Sequence, residues 1–284
     1  MNLTEQLKGL TTIITTSGPD TQGTGFFYQL LEDTQNDEPH WAQIHGTYLV
    51  TNRHVLIPKL GGTEIVPASI RYHWRVPTAG RLEWHPIELT RQELLDNAKF
   101  HPDPTVDIAL LPLYEHGGEA ADSTMRQPMP DYAVSNTKVA GRNKIEIETS
   151  DDVLVLGYPR GFYDEENLFP IVKSGIIASS WGQNFNDNPY FLIDTKLFPG
   201  SSGSVVISKP RAFILEDRKM MFPQDGTKRF AFLGVFSGEP FKQAAPVQLE
   251  GMTITPEHKF DVGIVWYASL VEEIARNGIS YNGQ

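Results

Sequence analysis

Cysteine is absent from this chain. Disulfide bonds, thiolate nucleophiles and zinc sites built on cysteine are therefore excluded. A fold without disulfides must be stabilised by its hydrophobic core. The composition permits this, since 40% of the residues are hydrophobic and 21% are charged, an ordinary balance for a globular protein. We expect neither a metal nor a cofactor.

Positive charge is also scarce. The sequence has 24 Lys and Arg against 35 Asp and Glu, which gives a net charge of −11. It contains no cluster of Lys and Arg dense enough to cover a phosphate backbone, so nucleic acid is not an expected partner.

Long apolar segments are missing as well. No apolar run approaches the roughly 18 residues of a transmembrane helix. Residues 1–5 lack the basic and apolar regions of a signal peptide. These features predict a cytoplasmic protein with no membrane partner.

What the sequence does contain is a series of short β-branched or alternating segments separated by turn residues. Strands are predicted at residues 11–16, 23–28, 46–51, 69–76, 81–89, 107–113, 152–157, 170–179, 190–195, 204–208, 230–237 and 261–266. Helices are predicted at residues 3–9 and at 267–276, where Leu270, Val271 and Ile274 recur at helical spacing. Many strands with only short helices favour an all-β barrel or sandwich over an α/β fold.

The polar segment 115–150 divides this pattern. We predict one domain over residues 1–284, in which 115–150 is a linker or insertion between an N-terminal unit, 10–114, and a C-terminal unit, 151–277. Residues 209–229 are rich in charge, proline and glycine, and they predict a second insertion or an extended hairpin.

A candidate nucleophile lies in the run Pro199-Gly200-Ser201-Ser202-Gly203-Ser204. Glycines flank Ser202, so the backbone can turn sharply and direct N–H groups towards one point. Gly200, Ser201 and Ser202 are the candidates for such an oxyanion hole. Taken alone, such a run is more often only a flexible turn.

Serine needs a base and a group that orients the base. His54 follows the apolar strand 47–51, whereas the other histidines do not follow a strand in this way. Asp107 opens the apolar segment Asp107-Ile108-Ala109-Leu110-Leu111, where a carboxylate is costly unless it is hydrogen-bonded. An ordinary surface histidine and a turn aspartate are the alternatives, and Asp103 is a nearby competitor.

Together these segments resemble the trypsin-like peptidase family, and most closely the bacterial HtrA/Deg protease domains. The resemblance rests on five segments in order: Gly23-Thr24-Gly25-Phe26, Thr51-Asn52-Arg53-His54-Val55, Asp107-Ile108-Ala109-Leu110-Leu111, Gly157-Tyr158-Pro159 with Val172-Lys173-Ser174-Gly175-Ile176-Ile177, and Ile193 to Ser204. The order His, Asp, Ser is that of chymotrypsin-like enzymes and differs from that of subtilisins and α/β-hydrolases.

The resemblance implies two six-stranded antiparallel β-barrels with a C-terminal α-helix. It also implies a triad of His54, Asp107 and Ser202 in the cleft between the barrels. Two positions depart from the family. Ser201 cannot form the ion pair that matures trypsin zymogens, and Ser204 replaces a common glycine. We expect no peptide-binding PDZ module after the serine.

The resemblance also predicts the substrate pocket, from Lys196, Leu197, Phe198, Phe236, Ser237 and Gly238. If Lys196 lines the pocket, acidic side chains are favoured there. If it turns outwards, the remaining walls are apolar.

The resulting hypothesis is a serine endopeptidase that cleaves protein or peptide substrates, with a regulatory protein partner encoded elsewhere. The alternative is a latent or inactive protein on a protease fold that binds or scaffolds a partner.

Overall fold

The computed structural model describes residues 3–32, 43–78, 81–115, 132–216, 219–222, 228–243, 247–249, 252–254 and 257–281. Four short helices accompany its strands: α1 (Leu3–Gly9), α2 (Arg53–Leu56), α3 (Arg91–Asn97) and α4 (Ser269–Asn277). None of the helices within these ranges is long and apolar enough to cross a membrane.

The N-terminal half forms an eight-stranded sheet and a small hairpin. The strands are β1 (Thr11–Ser17), β2 (Gln22–Glu32), β3 (Gln43–Thr51), β4 (Lys59–Leu60), β5 (Thr63–Glu64), β6 (Ser69–Thr78), β7 (Arg81–Thr90), β8 (Lys99–Phe100), β9 (Ala109–Glu115) and β10 (Val134–Ser135). The sheet order is β7-β6-β1-β2-β3-β9-β8, with β10 parallel to β2, and β4 pairs with β5 outside the sheet.

The C-terminal half forms a closed six-stranded barrel. Its strands are β11 (Asp152–Gly157), β12 (Ile171–Ile177), β13 (Tyr190–Asp194), β14 (Val205–Ser208), β17 (Phe232–Gly238) and β22 (Val262–Tyr267), in the order β11-β12-β13-β22-β17-β14. Three small hairpins project from it: β15 (Ile214–Glu216) with β16 (Lys219–Met221), β18 (Phe241–Gln243) with β21 (Glu257–Lys259), and β19 (Val247–Leu249) with β20 (Met252–Ile254).

The predicted all-β fold with a C-terminal helix is confirmed. Leu270, Val271 and Ile274 form the buried face of α4, as their spacing predicts. The N-terminal sheet is larger than the six strands that the resemblance implies. It gains strands because the long β6–β7 hairpin extends it and two-residue strands add at β8 and β10.

The described residues cover part of the two predicted insertions. Residues 116–131 of the predicted linker lie outside the described residues, whereas the described part contains β10 and a 3-10 turn at Asn136–Lys138 that packs on β2. Asn136 bonds both backbone groups of Leu31 through its side chain. Within 209–229, β15 and β16 form the hairpin that was one of the two expectations.

One hydrophobic cluster joins the two halves. It contains Phe26 and Tyr28 of β2, Val205 of β14 and Phe232 of β17, all of them buried. Phe26 meets Phe232 edge to face, with ring centroids 5.5 Å apart. Such contacts fix the sheet and the barrel against each other, so groups on their facing sides can form one site.

Candidate active site

Ser202 lies in the tight loop between β13 and β14. Gly200 and Gly203, on either side of it, have φ values of 89° and 84°. At Gly203 a Cβ atom would approach the Thr24 carbonyl oxygen to 2.0 Å, so only glycine fits there. Pro199 followed by Gly200 suits a type II turn, and the Ser201 N–H closes it by donating to the Phe198 carbonyl at 3.0 Å.

His54 lies on α2, directly after β3. Its partner Asp107 precedes β9, which pairs with β3 so that Thr51 faces Ala109. This register brings the His54 Nδ1 to 2.6 Å from Asp107 Oδ2, while the His54 backbone N–H donates to Asp107 Oδ1 at 3.0 Å. Because a carboxylate only accepts hydrogen bonds, the ring proton lies on Nδ1 and Nε2 is left as the base.

Two further residues hold Asp107. The Asn52 side-chain amide donates to the Asp107 backbone carbonyl at 2.6 Å. The Ser237 hydroxyl donates to Asp107 Oδ2 at 2.5 Å. Sequence reasoning assigned Ser237 only to the pocket wall and did not single out Asn52. The position of Asn52, two residues before His54, was the available signal.

The Ser202 hydroxyl is turned away from the histidine. It donates to the Ser237 carbonyl at 2.8 Å, and it forms no hydrogen bond with His54 among the described residues. Ser237 therefore contacts both the carboxylate and the serine through different atoms.

Two backbone donors of the serine loop have no acceptor within the described part of the chain. They are the N–H groups of Gly200 and Ser202, whereas the N–H groups of Ser201, Gly203 and Ser204 are all bonded within the protein. Of the three residues predicted for the oxyanion hole, Ser201 thus has its N–H group already bonded within the turn. The Arg160 N–H donates to the Pro199 carbonyl at 2.6 Å and so fixes the peptide plane that carries the Gly200 N–H.

The environment of His54 acts on its pKa in opposite directions. Burial lowers the pKa, but the charge of Asp107 and its hydrogen bond outweigh burial and raise the pKa above the ordinary value of 6.5. Asp107 thus stabilises the imidazolium that forms when His54 accepts a proton.

A cavity of about 680 Å³ adjoins this arrangement. His54 and Ser202 line it, and so do all six predicted pocket residues together with Arg160, Pro199, Glu239 and Asp261. The described residues contain no group of three or more His, Asp or Glu that could hold a metal ion.

Comparison with known proteins decides the family. The family model for the trypsin-like peptidase domain matches residues 23–212, which is more than half of the chain. The chain belongs to the trypsin-like peptidase family. The search of curated proteins found no match.

The peptidase is also similar to solved structures. The HtrA-type protease AlgW with tripeptide is 17% identical, with a TM-score of 0.45, and the match covers 96% of this chain and 60% of that chain. This chain therefore spans 60% of the length of AlgW. An inactivated protease paralogue of the scabies mite is 16% identical, with a TM-score of 0.42, and the match covers 96% and 97% of the two chains.

Of the two family departures of the peptidase, the one at Ser204 has a local explanation. Ser204 is wholly buried, and its hydroxyl fits because residue 157 is glycine: a Cβ there would lie 2.0 Å from Ser204 Oγ. The Ser201 side chain is also buried, and its hydroxyl has no hydrogen-bond partner among the described residues. Gly200 and Gly203 have positive φ values beside both serines.

The helix that carries His54 is anchored by its neighbour Arg53. The Arg53 guanidinium makes two hydrogen bonds to the Glu64 carboxylate, at 2.9 and 3.0 Å. These side chains are only 9% and 7% exposed. The guanidinium also stacks 4.8 Å from the centre of the Phe100 ring, which β8 supplies. This rigid, bidentate pair ties α2 to the β4–β5 hairpin, and the Phe100 contact ties it to the N-terminal sheet.

Proposed function

We propose that this peptidase is a serine endopeptidase that cleaves protein substrates through an acyl-enzyme formed on Ser202. The observation that carries the proposal is the contact of Asp107 with His54 at 2.6 Å, beside a cavity that Ser202 also lines. A partly buried aspartate that orients a histidine next to a serine is the arrangement that nucleophilic catalysis requires.

The reaction follows from the protonation states. The Ser202 oxygen attacks the carbonyl carbon of the scissile peptide bond, and His54 Nε2 takes the hydroxyl proton. The N–H groups of Gly200 and Ser202, which have no acceptor among the described residues, are available for the oxygen that becomes negatively charged. His54 then gives its proton to the leaving amine. Water attacks the acyl-enzyme in the second half of the reaction and restores the Ser202 hydroxyl.

One movement must precede the attack. The Ser202 hydroxyl has to exchange its bond to the Ser237 carbonyl for one to His54 Nε2. The exchange requires rotation of the Ser202 side chain, and serine torsions at partly exposed positions interconvert on the picosecond to nanosecond scale. Catalytic hydrogen bonds also tighten commonly only when substrate is bound.

The same hydrogen bond supports a second candidate function. A hydroxyl held by Ser237 is also the resting state expected of a latent protein whose serine is released only by a partner. In that case the fold serves binding or scaffolding until the partner arrives. A regulatory partner and a cytoplasmic location both stay predictions of the sequence.

The cavity lining supports a preference for neutral, apolar side chains. Arg160 and Lys196 contribute two positive charges, and Glu239 and Asp261 contribute two negative charges, so the lining carries no net charge. Phe198 supplies an apolar ring, whose faces carry the Arg160 guanidinium and the Lys173 ammonium at 5.0 Å. We propose that a leucine-like residue binds here in preference to glutamate.

Substitution of Lys196 tests this preference. If charge balance governs the pocket, Lys196→Ala leaves peptides with leucine before the scissile bond as the preferred substrates. A wild-type preference for glutamate that Lys196→Ala abolishes would instead support the acidic alternative. The measurement is kcat/KM for the two peptides with each protein.

Labelling with a fluorophosphonate probe tests the function itself. The probe reacts only with an activated serine, and mass spectrometry identifies the modified residue. We expect labelling at Ser202, its loss in Ser202→Ala, and its retention in Ser180→Ala, which changes an exposed serine outside the cavity. No labelling of the wild type near neutral pH would reject the active enzyme and favour the latent one.

A further inference from the structure

A buried hydroxyl on the N-terminal sheet contacts the serine loop of the opposite barrel. Thr24 lies on β2 and is wholly buried. Its hydroxyl donates to the Gly200 carbonyl at 2.8 Å and accepts the Tyr158 N–H at 3.0 Å. A threonine hydroxyl can donate one hydrogen bond, and here that bond is made to the residue whose own N–H faces the oxyanion position.

The backbone of Thr24 contacts the same site from the other side. Its N–H donates to the Ser202 carbonyl at 2.8 Å. Its carbonyl accepts the hydroxyl of Thr51 at 2.6 Å, and Thr51 ends the strand that precedes His54. One residue thus touches the loop of the nucleophile and the strand of the base.

The Thr24 hydroxyl restrains both peptide groups that flank Gly200. The Gly200–Ser201 peptide is held directly, through the Gly200 carbonyl. The Pro199–Gly200 peptide is held through Arg160, whose N–H donates to the Pro199 carbonyl at 2.6 Å. Arg160 follows Tyr158 by two residues, and Thr24 fixes the start of that segment by accepting the Tyr158 N–H. Because the peptide group is planar and trans, a fixed Pro199 carbonyl aims the Gly200 N–H to the opposite side.

Glycine at position 200 makes such restraint necessary. With φ at 89° and no side chain, Gly200 has alternative backbone conformations available that other residues lack. Ser201 offers no carboxylate that could form an ion pair to hold the loop, and its hydroxyl has no partner among the described residues. The contacts with Thr24 and with the Tyr158–Arg160 segment therefore hold the peptide groups around Gly200, together with the bond from the Ser201 N–H to the Phe198 carbonyl.

We propose that the Thr24 hydroxyl is a positioning group that keeps the Gly200 N–H directed at the substrate carbonyl oxygen. The expected effect of the Thr24 hydroxyl on the reaction rate rests on the proposed function. Its expected effect on the conformation of the serine loop rests on geometry alone. Loss of the hydroxyl leaves the Gly200 carbonyl and the Tyr158 N–H unpaired in a buried place. Such groups are costly to leave unpaired, so the loop shifts to find other partners.

The kinetic test compares Thr24→Val with Thr24→Ser. Valine keeps the branched shape and removes the hydroxyl, whereas serine keeps the hydroxyl. The readout is the second-order rate of fluorophosphonate labelling per folded molecule, because the phosphoryl oxygen of the probe occupies the oxyanion position. We expect Thr24→Val to lose about 10²-fold, the effect of one oxyanion donor, and Thr24→Ser to retain most of the rate. If Thr24→Val does not fold, Thr24→Ala replaces it with the same expectation.

A purely structural role would give a different result. It would lower the melting temperature of Thr24→Val but leave the labelling rate of the folded molecules unchanged, and that outcome would overturn the proposal. An equal loss of rate in Thr24→Ser would overturn it as well, since serine keeps the hydroxyl.

A second measurement does not need activity. In protein labelled with ¹⁵N-glycine, we expect the Gly200 amide resonance to move in Thr24→Val and to stay in place in Thr24→Ser. The resonance of Gly182, which is exposed and has open space around its Cα, serves as the control. An unchanged Gly200 resonance in Thr24→Val refutes the positioning role. If the fluorophosphonate probe does not label the wild type but the Gly200 resonance moves in Thr24→Val, the proposed enzyme is refuted and the role of Thr24 in the loop is supported.

Discussion

Replacement of Asp107 by asparagine tests the role of the Asp107 carboxylate in the triad. The carboxylate accepts from three donors: the His54 backbone N–H on Oδ1, and both the His54 Nδ1–H and the Ser237 hydroxyl on Oδ2. Asparagine offers one acceptor oxygen and one NH₂ donor in the same space. The substitution is nearly isosteric, so its effect is on hydrogen bonding and charge.

Neither orientation of the amide satisfies His54. If the NH₂ group faces the imidazole, Nδ1 must give up its proton and Nε2 becomes protonated, which removes the base. If the NH₂ group faces the backbone, two donors meet at the His54 N–H. The negative charge that raises the pKa of His54 is lost in both cases. The expected fall in rate is about 10⁴-fold, or about 5.4 kcal/mol at about 1.36 kcal/mol per tenfold.

The assay is the second-order rate of fluorophosphonate labelling. Asp103→Asn is the matched control, because Asp103 is the competing aspartate of the same region and its carboxylate accepts hydrogen bonds from the neighbouring Thr105 of the same loop. We expect the control to react like the wild type. A less than tenfold fall in Asp107→Asn, or an equal fall in Asp103→Asn, would refute the assignment of Asp107.

Two further predictions concern pH and stability. The rate of labelling should rise with pH as His54 loses its proton, with an apparent pKa above 6.5. The stabilisation that protonated His54 contributes to the fold is fully present below pH 6.5 and is lost as pH rises through the raised pKa. An apparent pKa below 6.5 for labelling would contradict the Asp107 contact. Arg53→Met should lower the free energy of unfolding by about 1–3 kcal/mol, since Glu64 loses its bidentate partner and, among the described residues, keeps only the side chains of Tyr281 and Lys59 beside it. Urea denaturation measures this loss, and a smaller loss in the double variant Arg53→Met with Glu64→Leu is the control.

The parts of the site that sequence predicts are local in the chain. The glycines around Ser202 require positive φ, and the strand before His54 ends in a run of apolar and β-branched residues. The family order of His, Asp and Ser then links segments that are far apart. The strands of the closed barrel were predicted closely for the same reason, since each has its own alternating or apolar pattern.

The parts that sequence missed depend on contacts between distant segments. Ser237 bonds to Asp107 across 130 residues, and nothing in the local pattern of β17 indicates that contact. Thr24 reaches Gly200 across 176 residues. The two-residue strands β8 and β10 are too short to show an alternation of apolar and polar residues, so the number of strands in the N-terminal sheet could not be predicted.

The accommodation of Ser204 has the same cause. A serine in place of a common glycine raised the question of whether the loop could keep its shape. The answer lies in Gly157, on the neighbouring strand β11, whose missing side chain leaves room for the hydroxyl. Such compensation is visible only when the two segments are seen side by side.

The most direct test of the proposed activity is cleavage of a proteome-derived peptide library by the wild type and by Ser202→Ala. Mass spectrometry of the newly formed amino termini records whether cleavage occurs and which residue precedes each cleaved bond. We expect new termini with the wild type, with apolar residues dominant before the cleaved bond, and none with Ser202→Ala. Cleavage by Ser202→Ala at the wild-type rate, or no cleavage by a wild type whose Ser202 is labelled, would contradict a serine endopeptidase.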